Sequence, residues 1–342
     1  MRQAVLVDSC KFAIEEMPEV ELVPETLLLK VKYTSICGSD IHIWEWGPEP
    51  KTEQARKAFE SFGKAYFGLP PSAILGHQLS GEVTETGPGV EMYKPGDRIT
   101  IRGAGGYADY AVAMGLGGHP LSSVVYPLPD EVSYQDAALV EPLSVAVDAV
   151  RRSQLNLGDV AVVQGGGTIG LFVMQCAKAA GARRVIVTEV SDVRIKKAGE
   201  LGADEVVNAR TENVVERINE LTDGFGPDII YDCAGNPEAT RTMIEFAPTG
   251  RGKAIIVSTY EQPFEVDLNM VMTKNLELVG FLSGLPGSYP LQSDPFKIAI
   301  ELIRSGSVKV DSMVSAVMPL EKLDEAFTKL SKAEEMVILI EP

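Results

Sequence analysis

Two hydrophobic textures divide the chain. From Arg2 to Val7 and from Thr26 to Tyr33 the apolar residues come in short β-branched runs, broken by Pro18 and Pro24, which predicts antiparallel strands and turns. Thr34–His42 (TSICGSDIH) is polar and reads as a turn. Ile43–Pro71 is irregular: WEWGPEP carries prolines and two tryptophans, and Glu53–Tyr66 has helical composition, so an excursion bearing a short helix is expected, one that could cover a cleft. Leu75–Val83, the turn at Thr84–Val90, the strand of YKPGDRITI, Gly103–Tyr110 and Val124–Leu128 continue the strand-and-turn texture. Over Tyr134–Val150 the period becomes helical, and Pro142 interrupts it, placing Glu141 at a helix boundary.

After Gly158 the pattern alternates strand and helix. Strands are expected at 160–163, 185–188, 205–207, 228–232, 253–258 and 276–280, with helices at 169–180, 192–201, 211–222 and 237–247, giving a parallel sheet of about six strands. The last segment returns to helix (Phe296–Ile303), strand (Met313–Val317), helix (Leu320–Lys332) and strand (Met336–Ile340), and is expected to pack back on the amino-terminal domain.

The first βα unit carries its own chemistry. Gly165, Gly167 and Gly170 leave the strand Val160–Val163 in G-x-G-x-x-G spacing, with Thr168 and Ile169 between the last two glycines. The next strand ends at Glu189, nineteen residues past the last glycine. Strand, tight turn, helix, strand and acid together predict a dinucleotide site whose pyrophosphate sits on the N–H groups of the helix start. A carboxylate at Glu189 can accept from the ribose hydroxyls and repels a 2′-phosphate, which favours NAD over NADP. Arg194 is close enough in sequence to stack on adenine or offset part of that repulsion.

Length and charge narrow the class. With 342 residues two domains are expected. A net charge of −17 argues against nucleic acid and anionic membranes as partners. No apolar run approaches a membrane span and the start, MRQAVLVDSCKF, has no signal-peptide core, so a cytoplasmic location is expected. Cys10, Cys37, Cys176 and Cys233 are scattered, without the density of a disulfide framework. Cys10, Cys176 and Cys233 read as core or near-core residues.

Cys37, His42 and His77 sit in polar, glycine-flanked stretches, and Glu141 is a lone charge in AALVEPLSVAV. A thiolate and an imidazole suit zinc, with a carboxylate as third ligand. From the residues alone, Cys37 as a small buried hydrophobe and His77 as a hydrogen-bonded core residue are equally available.

The motifs CGSDIH (37–42), GHQLSGEV (76–83), KPGDRI (94–99), VEPLSVAV (140–147) and the glycine turn occur in one order and at separations that resemble the medium-chain, zinc-dependent alcohol and polyol dehydrogenases, sorbitol dehydrogenase-like members included, over nearly the full chain. The resemblance implies an α/β protein: a doubly wound Rossmann sheet at 151–283 binding NAD, and a mainly β, GroES-like catalytic domain from 1–150 and 284–342. It implies Cys37, His77 and Glu141 as the metal set of one catalytic zinc per chain, Glu141 directly or through water, and Asp40 as the carboxylate orienting His77; Ser39 is a hydrogen-bond partner of the substrate hydroxyl or a turn residue, and His42 a proton relay toward solvent or a surface or ribose-contacting histidine. Zinc would lower the pKa of a bound alcohol while nicotinamide accepts hydride, in a site between domains whose closure excludes water. A homodimer or homotetramer is implied, with sheet edges near Leu276–Gly280 and Met313–Val317 available for it.

Two departures stand out. The residue after His77 is Gln78 where the family usually has glutamate, and Gln78 either binds zinc through its carbonyl or does not bind it. No cysteine lies between Gly96 and Glu141, so the structural zinc lobe of many members is not expected. A metal-free quinone, enoyl or carbonyl reductase of the same fold accounts for both departures but leaves Cys37, Asp40, His77 and Glu141 without a task. A non-catalytic nucleotide-binding protein is the reading from another class. For the substrate, EPLSV points to polyols, sugars or threonine-like secondary alcohols. Trp44 and Trp46 either line a pocket or pack, Arg56, Lys57 and Lys64 either meet an anion or form a solvated helix face, and Asn236 is positioned to border the nicotinamide.

Overall fold

A computed structural model of the chain describes residues 1–18, 20–65, 75–103, 105–113, 124–260, 262–283 and 294–342, except the side chains of 61–65. The Lys64 side chain and the end of the excursion at 66–71 therefore lie outside the described residues. The chain divides into two compact units: Met1–Glu141 with Gly284–Arg304 and Val310–Pro342, and Pro142–Ser283 with Ser305–Lys309.

The first unit begins with the hairpin β1 (Arg2–Asp8) and β2 (Lys11–Glu16). It continues through β3 (Leu27–Ser35), α1 (Gly38–Trp46), α2 (Glu53–Ala65), β4 (Gln78–Thr86), β5 (Arg98–Arg102), β6 (Tyr110–Ala113), β7 (Val124–Pro127) and α3 (Tyr134–Ala137). The helix α4 (Val140–Ser153) carries the boundary between the units in its first turn, after Glu141. Pro142 is tolerated there because the first-turn N–H groups have no intrahelical acceptor to lose.

The second unit is the expected alternation: β8 (Val160–Gln164), α5 (Thr168–Ala179), β9 (Arg184–Glu189), α6 (Asp192–Glu200), β10 (Glu205–Asn208), α7 (Val214–Leu221), β11 (Ile229–Asp232), α8 (Pro237–Phe246), β12 (Lys253–Ile256), α9 (Leu268–Lys274) and β13 (Glu277–Gly280). Its strands pair in parallel in the order β10-β9-β8-β11-β12-β13. That order reverses between β8 and β11, the topological switch point of a Rossmann-type sheet. Val160, Val162, Ile186, Ile230 and Ala254 project from the sheet into a core shared with Ile218, Met243 and Phe246 of the helices.

The chain then returns to the first unit with α10 (Pro295–Arg304), β14 (Val314–Pro319), α11 (Leu323–Ser331) and β15 (Val337–Glu341). Antiparallel pairing of β15 with β3 inserts this tail into the mixed sheet, whose order among the described residues is β14-β15-β3-β4-β5-β7, with β6 also on β3. The expected return of the tail to the amino-terminal part is therefore a matter of backbone pairing.

The core of the first unit has two parts. Leu27, Leu29, Val31, Leu79, Ile99 and Ile101 form one, from inward positions of β3, β4 and β5. The other gathers Phe12, Ile43, Trp44, Trp46, Tyr107 and Phe327. Phe327 stands at its centre, with ring centroids 5.2 Å from Phe12, 5.5 Å from Trp44 and 5.7 Å from Tyr107. Trp44 is thus a packing residue, its indole N–H donating to Asp324 at 3.0 Å.

Three expectations are corrected. Of Thr34–His42, Thr34 and Ser35 end β3, only Ile36 and Cys37 are loop, and Gly38 opens a helix. Its buried positions, Asp40, Ile43, Trp44 and Trp46, begin with a carboxylate, and no apolar period marks the helix in the sequence. The helix α9 was not anticipated. Cys10 is exposed in the β1–β2 turn, whereas Cys176 is buried and desolvation pushes its thiol up to about 12.

Candidate active site

Cys37 stands at the end of β3 and N-caps α1. The Asp40 backbone N–H donates to the Cys37 side chain, and Asp40 Oδ2 accepts from the Cys37 N–H at 3.3 Å, a reciprocal capping box. This pins Asp40, fully buried, beneath the turn. Its Oδ2 also accepts from the Tyr107 hydroxyl at 2.6 Å, and its Oδ1 lies 3.4 Å from His77 Nδ1. Tyr107 reaches Asp40 because the segment Gly106–Tyr107 lies against Gly76: Gly106 N–H donates to Gly76 O at 3.0 Å, and a Cβ on Gly76 would come within 2.9 Å of the Tyr107 nitrogen. Gly76 also has φ +69°, a conformation glycine adopts without strain.

Charge in this pocket is held by mutual contact. Burial, the largest influence on His77, disfavours its protonated form, but the charge and hydrogen bonding of Asp40 and the Cys37 side chain together carry its pKa well above the ordinary value. Burial raises the Tyr107 pKa far above that of a free phenol, with Asp40 and Cys37 adding to it, so its hydroxyl remains a donor. Tyr107→Phe would leave Asp40 Oδ2 with the long bond from Cys37. A loss of about 2 kcal/mol of stability is expected, measured by denaturant unfolding against the wild-type chain.

The structure thus brings Cys37, Asp40 and His77 together. Glu141 engages elsewhere: its Oε2 accepts from Gln78 Nε2 at 2.8 Å. Ser39 sits in the first turn of α1, half-buried, and His42 one turn further on stacks on Trp46 with centroids 6.0 Å apart. Among the described residues no group of three or more His, Cys, Asp and Glu side chains is arranged to hold a metal ion. The donors that are together still suit zinc in kind. They are one sulfur and one imidazole, whose Nδ1 faces Asp40 and whose Nε2 would be the ligating atom. Tyr107 and Gln78 are the contributors that sequence reasoning missed. Tyr107 lay in a glycine-rich stretch with no chemical signature, and Gln78 was weighed only as a ligand.

In the second unit the glycine turn has the conformation its spacing predicts. Gly165 has φ +89°, and a Cβ there would lie 2.9 Å from Ala234 Cα and Cys233 O. At Gly170 a Cβ would overlap the Gly165 carbonyl oxygen. Gly167 caps α5, leaving the N–H groups of Thr168 and Ile169 at the helix start. Glu189 is buried and already engaged, accepting from Gly166 N–H at 2.7 Å, Val190 N–H at 2.6 Å and Ser191 N–H at 2.9 Å. These three bonds aim its carboxylate at the turn. Arg194 approaches the same turn, its Nη1 being 4.0 Å from a Cβ placed on Gly167.

Other expected contributors have structural work. Asn236 caps α8 by accepting from Ala239 N–H at 2.8 Å. Arg56 and Lys57 pair with Glu53 at 3.6 and 3.5 Å on an exposed helix face. Cys233 is a thiol whose pKa burial and Asp232 hold well above the usual value, in keeping with a non-nucleophilic role.

Sequence comparison matches this architecture. A family model described as an alcohol dehydrogenase GroES-like domain matches residues 23–121, and one described as a zinc-binding dehydrogenase matches 168–304. The chain is therefore a member of the medium-chain dehydrogenase/reductase family, with a Rossmann-like parallel sheet and a β-rich GroES-like domain. It is 35% identical to (R,R)-butanediol dehydrogenase of Bacillus subtilis (strain 168), over 96% of both chains. It is 30% identical to D-arabitol-phosphate dehydrogenase of Enterococcus avium, over 99% of this chain and 96% of that one. The crystal structure of 2R,3R-butanediol dehydrogenase from Bacillus subtilis aligns with a TM-score of 0.81 at 31% identity, covering 100% of this chain and 99% of the other. Among the described residues no helix is long and apolar enough to cross a membrane.

Proposed function

We propose that this protein is a zinc-dependent oxidoreductase that transfers hydride between NAD and a secondary alcohol of the polyol, sugar or vicinal-diol class. The observation that carries the reading is the convergence of Cys37 and His77 on the buried Asp40, in a chain homologous to alcohol and polyol dehydrogenases. Cys37 and His77 would hold one zinc ion per chain, with Glu141 as third ligand. The metal, when bound, supplies Lewis acidity that lowers the pKa of an alcohol. Asp40 keeps His77 in the tautomer that ligates through Nε2. Ser39 hydrogen-bonds the substrate hydroxyl and His42 passes its proton toward solvent.

The nucleotide would be held by the turn Gly165, Gly167, Thr168, Ile169 and Gly170, with its pyrophosphate at the start of α5. Glu189, oriented by its backbone donors, would accept from the ribose hydroxyls, and Arg194 would flank the adenine. Glu189→Ala is expected to weaken NAD binding about tenfold while improving NADP relative to NAD, by titration calorimetry with both nucleotides. An unchanged preference would remove Glu189 from cofactor selection. Self-association as a dimer or tetramer and a cytoplasmic location belong to the same reading, the outer strands β13 and β14 offering the edges.

The test is a screen of NAD reduction with polyols, vicinal diols and simple alcohols, beside a reverse screen of carbonyl and double-bond substrates. Turnover of polyols or diols is the expected result. Metal-independent carbonyl or double-bond reduction alone would replace this reading with that of a metal-free reductase, and cofactor binding without turnover would favour a nucleotide-binding protein.

A further inference from the structure

We infer that Gln78 is a positioning residue for Glu141, acting through its side-chain amide and not as a metal ligand; the inference rests on the zinc reading above. Both side chains are buried, at 3% and 8% exposure, and Gln78 Nε2 donates to Glu141 Oε2 at 2.8 Å. An ionised carboxylate only accepts hydrogen bonds, so the NH₂ end of Gln78 must be the end that faces Glu141. The opposite end is engaged as well: Ser35 Oγ lies 2.7 Å from Gln78 Oε1 and 2.9 Å from Ala138 O, and the serine shares its one proton between these acceptors.

The backbone fixes this order. Ser35 and Gln78 are antiparallel register partners on β3 and β4, so the serine lies directly across from the glutamine. Ala138 belongs to the segment that leads from α3 into α4, where Glu141 occupies the first turn. The chain Ser35–Gln78–Glu141 therefore ties the sheet to the start of α4 through three buried side chains. It commits Glu141 Oε2 to the amide and sets the plane of the carboxylate. It also answers the question left open by the sequence, because the Gln78 carbonyl is turned to Ser35. Gln78 thus does for Glu141 what Asp40 does for His77: each partner orients the side chain beside it.

The test uses the full chain loaded with zinc, and separately with cobalt(II) as a visible probe of coordination. Gln78→Leu keeps the side-chain bulk and deletes the donor. It is expected to release zinc to a chelator 10- to 100-fold faster than wild type and to alter the cobalt ligand-field bands. Ser35→Ala, which keeps the amide but loosens it, should move both readouts in the same direction by a smaller factor, and it carries the test if Gln78→Leu does not fold. Zinc release and cobalt bands unchanged in the folded variants, with wild type binding both metals, would overturn the positioning role and leave the zinc reading intact. A wild-type chain that takes up neither zinc nor cobalt would overturn the zinc reading itself, and this inference with it.

Discussion

Asp40→Asn is expected to weaken zinc binding 10- to 100-fold and to lower kcat/KM for alcohol oxidation by a comparable factor. The side chains are the same shape, so the effect comes from the lost charge and from hydrogen-bond polarity. Asp40 Oδ2 accepts from Tyr107 and from the Cys37 backbone, while Oδ1 faces His77 Nδ1. An asparagine has one acceptor oxygen. With that oxygen kept on Tyr107 and Cys37, its NH₂ meets His77 Nδ1, which must become an acceptor, and the ring proton moves to Nε2, the atom needed for the metal. With the amide reversed, NH₂ meets the Cys37 N–H, a donor that cannot accept, and the Tyr107 hydroxyl must turn from donor to acceptor inside an apolar, aromatic core. Neither orientation satisfies all three contacts. Zinc affinity by competition with a chelator, alongside steady-state kinetics, checks the result; wild-type affinity in Asp40→Asn would show that Asp40 does not orient His77.

The largest effect on stability is expected from Gly170→Ala. The added methyl would overlap the Gly165 carbonyl oxygen, and backbone atoms cannot swing aside as a flexible side chain can. Gly165 is itself held by its N–H bond to Thr188 O at 2.8 Å and by its close approach to Cys233 and Ala234. Relief must come from separating α5 from β8, against packing in which Leu171, Phe172, Val173 and Met174 are fully buried. A cost of about 3 kcal/mol or more is expected, with a fall in Tm of about 10 °C and loss of measurable NAD binding. Calorimetric melting and nucleotide titration decide it. A variant that melts like wild type would mean that the turn opens more easily than its contacts imply.

The second unit was readable because its strands are continuous apolar runs between turn signals and its glycines have steric reasons to be glycine. The first unit was readable in texture but not in connection. Nothing in the run Met336–Ile340 says that it will pair with Thr34 and Ser35, since strand pairing is set by tertiary register. The site divides in the same way. Cys37, Asp40 and His77 were legible as motif residues, and Asp40 Oδ1 lies 3.4 Å from His77 Nδ1. The capping role of Cys37 was hidden, because cysteine is not a usual N-cap and the buried carboxylate at its N3 position broke the apolar period of α1. Tyr107 could not be found from spacing, because the close approach of Gly106 to Gly76 that delivers it is a property of two loops far apart in sequence. Glu141 was legible as a lone carboxylate among apolar residues that needs a partner, and Gln78 is one such partner in the structure.

The central claim is that Cys37 and His77 form a zinc site, and the most direct measurement is zinc per chain by elemental analysis, on protein purified without added metal and on Cys37→Ser prepared alongside it. The account predicts about one zinc per wild-type chain and little or none in the variant. A wild-type chain without zinc, or a Cys37→Ser chain that keeps it, would contradict the account.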